Sequence, residues 1–134
     1  EYIIDAGGDM RCRSDRPHII GLEDPHHLGT VIGAVPLSNA SLCASAGNRR
    51  AWGSFHHIIN PHTLLSTQDI AATWVIAHRT SIADGLATCL FFVEPEILSA
   101  SFDFEYIRIM ADNTIDMSDT LTERIILSPS NIQL

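Results

Sequence analysis

Thr80-Ser81-Ile82-Ala83-Asp84-Gly85-Leu86-Ala87-Thr88-Cys89-Leu90-Phe91 is the stretch around which this chain is organised, and it reads as one helix. Ser81 is placed to cap its start, and an acid follows in the first turn, where the helix dipole favours negative charge. Ile82, Leu86, Cys89, Leu90 and Val93 recur at helical spacing and are expected to face a core. Asp84 and Thr88 stand four apart, one above the other on a different face, among the small residues Ala83, Gly85 and Ala87. Two roles are open to this pair. A carboxylate and a hydroxyl projecting together offer hard oxygen ligands to Mg²⁺ and leave space for phosphates. Equally, Asp84 completes the helix cap and Thr88 bonds back to its own backbone.

Just upstream, Ile70–Ala77 is almost unbroken apolar sequence, as a central strand requires, and it feeds the helix directly. Shorter strands are expected at Tyr2–Ala6, Met10–Ser14, His18–Leu22, Thr30–Leu37, Ser41–Ala46, Phe55–Ile59, Phe104–Ile109, Thr114–Met117 and Glu123–Leu127. Gly7-Gly8-Asp9, Asn60-Pro61-His62-Thr63 and Asp112-Asn113 are turns. A second helix is expected from Glu94 to Ser101, with Pro95 tolerated near its first position. Many strands and two clustered helices give an α+β class: a mixed or largely antiparallel sheet with helices packed on one face.

The chain has 134 residues, 46% hydrophobic and 18% charged, which suits one folded domain over residues 1–134 with a single real core. No apolar run is long enough to span a membrane, and no signal-peptide pattern is present. The sequence enters a strand at once, so a piece of a longer protein, or an unusually short relative of one, is expected. The net charge is −8 and all eight basic residues are arginine. That is a poor footprint for nucleic acid, which needs a basic stripe. An acidic domain that handles phosphates must use a metal or backbone N–H groups. Cys12, Cys43 and Cys89 lack metal spacing and read as buried small hydrophobes.

Several other groups carry possible chemistry. His26-His27, after Asp24-Pro25, is expected in a solvated loop. His57, between Phe55 and Ile58-Ile59-Asn60-Pro61, is either a hydrogen-bonded core residue or a general base or acid. Gly7-Gly8-Asp9 brings backbone close to a ligand or is merely a turn. Ser45-Ala46-Gly47-Asn48-Arg49-Arg50 is either an anion nest with two guanidiniums or a turn with solvated or paired arginines. Trp52 and Phe55 are expected in the core.

Taken in order, four segments resemble the C-terminal half of the ApbE family, the FAD:protein FMN transferases. Asp5-Ala6-Gly7-Gly8-Asp9-Met10-Arg11 is similar to the family's strand ending in Gly-Gly-Asp/Glu. Ala44-Ser45-Ala46-Gly47-Asn48-Arg49-Arg50 is similar to its Thr-Ser-Gly segment. His57-Ile58-Ile59-Asn60-Pro61-His62-Thr63 resembles its His-Ile-Ile-Asp-Pro-x-Thr-Gly signature, and Ala83-Asp84-Gly85-Leu86-Ala87-Thr88 its Ala-Asp-x-x-x-Thr helix. The resemblance implies Mg²⁺-dependent transfer of FMN from FAD to a Thr or Ser hydroxyl of a partner protein, with release of AMP. It implies metal ligation by Asp84, Thr88 and the backbone near Ala87. It also implies flavin-nucleotide contacts at Ile59, Gly8 and Asp9, and activation of the acceptor hydroxyl by His57. Relatives are commonly exported or anchored at the membrane.

The departures from the pattern are Asn60 for Asp, Leu64 for Gly, and one residue fewer between His57 and Asp84. The family's N-terminal half, with its further FAD contacts and another metal ligand, has no counterpart here, so little or no transferase activity is expected of these residues alone. A non-catalytic flavin- or nucleotide-binding module and a ligand-free structural domain are the alternatives.

Overall fold

The computed structural model describes residues 1–127; residues 128–134 of the expected domain lie outside the described part. In chain order the elements are β1 (Tyr2–Asp5), β2 (Met10–Arg13), β3 (His18–Glu23), β4 (Val31–Leu37), β5 (Ser41–Ala46), β6 (Ala51–Trp52), β7 (Phe55–His56), β8 (Ile70–Ala77), α1 (Thr80–Cys89), α2 (Pro95–Ser99), β9 (Glu105–Met110), β10 (Ile115–Met117), α3 (Asp119–Thr122) and β11 (Ile126–Leu127). Six strands form one sheet in the order β1-β2-β5-β8-β9-β10, and every neighbouring pair is antiparallel. A second sheet has the order β11-β4-β3, and β6 and β7 form a small hairpin.

β8 lies inside the main sheet between β5 and β9, with Val75 opposite Cys43 on one side and Trp74 opposite Ile107 on the other. Its side chains alternate between two cores. Ala72, Trp74 and Ile76 pack with Leu42, Ile107 and Ile109 against Leu22, Ile32, Val35 and Leu37 of the second sheet. Val75 and Ala77 point the other way and pack with Cys43 against α1. Full burial of each Val, Leu or Ile contributes about 1.5–3 kcal/mol, which is why the unbroken apolar run settles here. The helix covers one face, as the sequence suggests. The second sheet covers the other face, which was not legible in the sequence.

α1 turns Ala83, Leu86, Ala87 and Leu90 inward at i, i+3, i+4 and i+7. With no bulk at Ala83 and Ala87, the helix axis comes close to the sheet. The start of the helix differs from the expectation. Arg79, not Ser81, takes the cap position, through its backbone alone, and the first turn holds no acid. Only His78-Arg79 separate β8 from α1, so the helix begins two residues too early for Ser81 to cap it. The Thr80 hydroxyl instead meets Ser41 Oγ at 2.9 Å, and Arg11 donates to the His78 carbonyl. Cys89 turns out exposed, whereas Cys12 and Cys43 are buried.

Three further expectations are corrected. Trp52 and Phe55 face each other across the β6–β7 hairpin but remain 60% and 48% exposed, so neither belongs to the core. The Phe55–Ile59 strand stops at His56, and Ile59 makes only an isolated bridge to Ser66. The final strand begins only at Ile126, because α3 precedes it. Among the described residues no helix is long and apolar enough to cross a membrane.

Candidate functional site

The site begins where β2 stops early. β2 pairs with β5 only at Met10–Leu42 and Arg11–Ser41, whereas β5 follows β8 as far as Ala46–Ala72. The far end of β5 therefore has no strand neighbour on that side. The turn from Asp5 to Asp9 stands over this notch. Gly7 and Gly8 adopt φ of +75° and +106°, which only glycine takes without strain. The Gly8 N–H donates to Asp5 Oδ1 at 2.9 Å and the Ala6 N–H to the Asp9 carbonyl at 3.0 Å. A cavity of about 570 Å³ opens here, lined among others by Gly7, Gly8, Ser45, Asn48, Arg49 and Trp74.

α1 meets the same strand end from the opposite face of the sheet. The hydroxyls of Ser45 and Thr88 lie 3.0 Å apart. The buried Thr73 hydroxyl, on β8, donates to the Ala87 carbonyl at 2.6 Å, which leaves that oxygen one lone pair. Asp84 is exposed and enters no ion pair among the described residues. Burial pushes the Cys43 thiol up to about 12, and the carboxylates of Asp9 and Asp84 push in the same direction. Cys43 thus stays a neutral thiol at neutral pH, and both carboxylates lie in its neighbourhood. The structure brings Asp9, Ser45, Asp84, Ala87 and Thr88 around one end of β5. Among the described residues no three His, Cys, Asp or Glu side chains gather to hold a metal. The oxygens in contact are the hydroxyls of Ser45, Thr73 and Thr88 and the Ala87 carbonyl, with the Asp84 carboxylate one helical turn before Thr88; these are of the donor class that Mg²⁺ prefers.

His57 and Ile59 are exposed, and between them Ile58 is buried against Ile70 and Phe91. Phe91 lies three residues beyond Thr88, so the histidine segment sits past the C-terminal end of α1. The His57 N–H donates to the Arg50 carbonyl at 3.1 Å. Neither His57 nor Asp84 lines the cavity at the Gly7-Gly8 turn. Beyond Ile59 the chain folds into a tight loop. The Asn60 carbonyl accepts from the Leu64 N–H at 2.8 Å, and Asn60 Oδ1 accepts from the His62 N–H at 2.9 Å. Leu64 takes φ of +59° in this loop.

Other parts of the site were not anticipated. Ser45 belongs to both the nest segment and the Thr-Ser-Gly-like segment, and nothing in its spacing forecasts the meeting with Thr88. Arg49 is paired with Glu23, so it is not free to form a nest, and Asn48 donates to the Pro25 carbonyl at 2.6 Å. The His26-His27 loop is braced rather than merely solvated. Asp24 is 5% exposed and accepts from both histidine N–H groups, and His27 Nδ1 lies 3.1 Å from its other oxygen. Burial alone would raise the Asp24 pKa, but these bonds outweigh it and hold the carboxyl below its usual 3.8.

The family model described as "ApbE family" matches residues 1–105. No curated protein matches the chain. An ApbE protein from Thermotoga maritima superposes with a TM-score of 0.80 at 22% identity, over 92% of this chain and 44% of that one. The flavin transferase ApbE from Vibrio cholerae superposes with a TM-score of 0.66 at 19% identity, over 91% of this chain and 43% of that one. A histidine-to-glycine mutant of the Vibrio protein gives 0.63 at 18% identity, over 91% and 43%. The chain thus spans less than half the length of each of these structures.

Proposed function

The chain belongs to the ApbE family, and on that premise we propose that it carries the metal- and phosphate-facing part of an FAD:protein FMN transferase. In the reaction, a Thr or Ser hydroxyl oxygen of an acceptor protein attacks the FMN phosphorus of FAD; the bond from that phosphorus to the bridging oxygen breaks, and AMP leaves. The exposed ring of His57 takes the hydroxyl proton. Asp84, Thr88 and the Ala87 carbonyl hold Mg²⁺, which when bound neutralises the charge that develops on the pyrophosphate. The Gly8–Asp9 turn admits close approach of the nucleotide, and Ile59 lies against its flavin part. The acceptor meets the enzyme at the periplasmic or cell-surface side of the membrane.

The observation that supports this reading is the convergence of oxygens at the end of β5. An exposed carboxylate without a cationic partner among the described residues sits one helical turn from a hydroxyl that touches Ser45. Asn60 in place of an acid favours the second reading, a flavin-binding module without turnover. Calorimetric titration of FAD with and without Mg²⁺ separates the two. The transferase reading expects binding that requires the metal. Metal-independent weak binding supports the module, and no binding at all overturns both. Incubation of these 134 residues, which span less than half the length of the solved relatives, with FAD, Mg²⁺ and an acceptor protein should leave no more than trace flavin fluorescence on the acceptor.

A further inference from the structure

His56 and His57 are adjacent, the first half-buried and the second exposed, with their rings edge-on at 6.5 Å between centroids. Of the two rings, that of His56 is the better anchored. The His56 N–H donates to Ser66 Oγ at 2.9 Å, and that hydroxyl donates to the His56 carbonyl at 2.7 Å. Ring Nε2 lies 2.5 Å from the Thr67 carbonyl, which only accepts. Ring Nδ1 lies 3.3 Å from the Ile58 N–H, which only donates. These two partners define a neutral imidazole with its proton on Nε2. The ring also presses on Gly47, where a Cβ would stand 3.2 Å from Cγ, Cδ2 and Nε2. Gly47 follows the last residue of β5, two positions after Ser45.

We propose that His56 is a positioning residue for His57. In its Nε2–H form, it fixes the direction of the His57–Ile59 backbone relative to the Ser45–Thr88 hydroxyls. One imidazole grips three separate segments: the exit of β5 through Gly47, the Ser66-Thr67 segment through the Thr67 carbonyl, and the next turn of its own chain through the Ile58 N–H, while the Ser66 hydroxyl holds the His56 backbone. Among the described residues His57 is held by its backbone bond to Arg50, by the packing of Ile58 and by the His56 ring, edge-on at 6.5 Å between centroids, so the direction of its ring depends on this grip. The functional meaning rests on the reading of His57 given above; the geometry does not.

The test uses the full chain without FAD or metal. Nitrogen-15 NMR of the histidine rings should show His56 protonated at Nε2 and bare at Nδ1. His56→Asn sets an amide oxygen near the former Nδ1, so Ile58 should keep its slow amide exchange and His57 its ring shifts. His56→Leu offers no acceptor. There the Ile58 amide should exchange about tenfold faster and the His57 ring shifts should move, while core amides such as Val75 stay protected. A proton found on Nδ1 in the wild type overturns the proposal. So does a His56→Leu protein in which Ile58 and His57 are unchanged. If that variant does not fold, the wild-type tautomer and the Asn variant still decide. A chain that binds no FAD yet shows this pattern would sink the transferase reading and leave the positioning role standing.

Discussion

Leu64 occupies a left-handed backbone position, φ +59°, with its side chain 75% exposed. A side chain there costs about 1–2 kcal/mol, and almost no burial repays it. The turn has a glycine-type shape, with leucine under strain in it. Leu64→Gly should therefore stabilise the protein by about 0.5–1 kcal/mol after the extra chain entropy of glycine is counted, seen as a higher urea midpoint at unchanged slope. Asp24 works in the opposite sense, as a residue whose stabilisation depends on pH. Its folded carboxyl titrates below the usual 3.8, so its bonds stabilise the fold above that value and lose their effect as pH falls through the lower folded value. Urea midpoints measured from pH 6 down to pH 2 should fall more steeply for the wild type than for Asp24→Asn. The Asn variant should start about 1–3 kcal/mol lower. The sequence marked Asp24 only as a turn residue, because its worth comes from N–H groups that a folded loop aims at it.

At the scale of elements, α1 and β8 were the most legible. An apolar run followed by inward positions at helical spacing leaves few alternatives, and both formed almost where expected. The helix start was misread because capping by Ser81 competes with a two-residue connection that is too short to allow it. α3 was missed because four residues carry no periodicity. The Ser45–Thr88 contact joins residues 43 apart in sequence and leaves no local trace. Gly85 is the informative position on α1: it is exposed, and a Cβ there would meet nothing. For the fold alone, Gly85→Ala should stabilise the helix by about 0.5–1 kcal/mol. If phosphates approach α1 beside Asp84, the same methyl group should weaken Mg²⁺-dependent FAD binding. A variant with a higher melting temperature and weaker calorimetric affinity is the expected outcome; unchanged affinity would place the nucleotide elsewhere.

Among the described residues the six-stranded antiparallel sheet has a core on each face, and the Ser45–Thr88 oxygens lie at the corner where β2 falls short of β5. The unbroken apolar run of β8 fits a central strand buried on both faces, but nothing local shows that β11-β4-β3 covers the second, since that pairing joins distant segments. With a net charge of −8, no lysine and Arg49 tied to Glu23, the acidic balance fits a phosphate ligand met by a cation and backbone N–H groups. The most direct measurement is therefore of the cation itself, using Mn²⁺ as a paramagnetic substitute for Mg²⁺ and following amide resonances in the presence of FAD. Selective broadening centred on Asp84, Ala87, Thr88 and Ser45, abolished by Asp84→Ala, is expected. Broadening centred away from α1, or left intact by that substitution, would contradict the account.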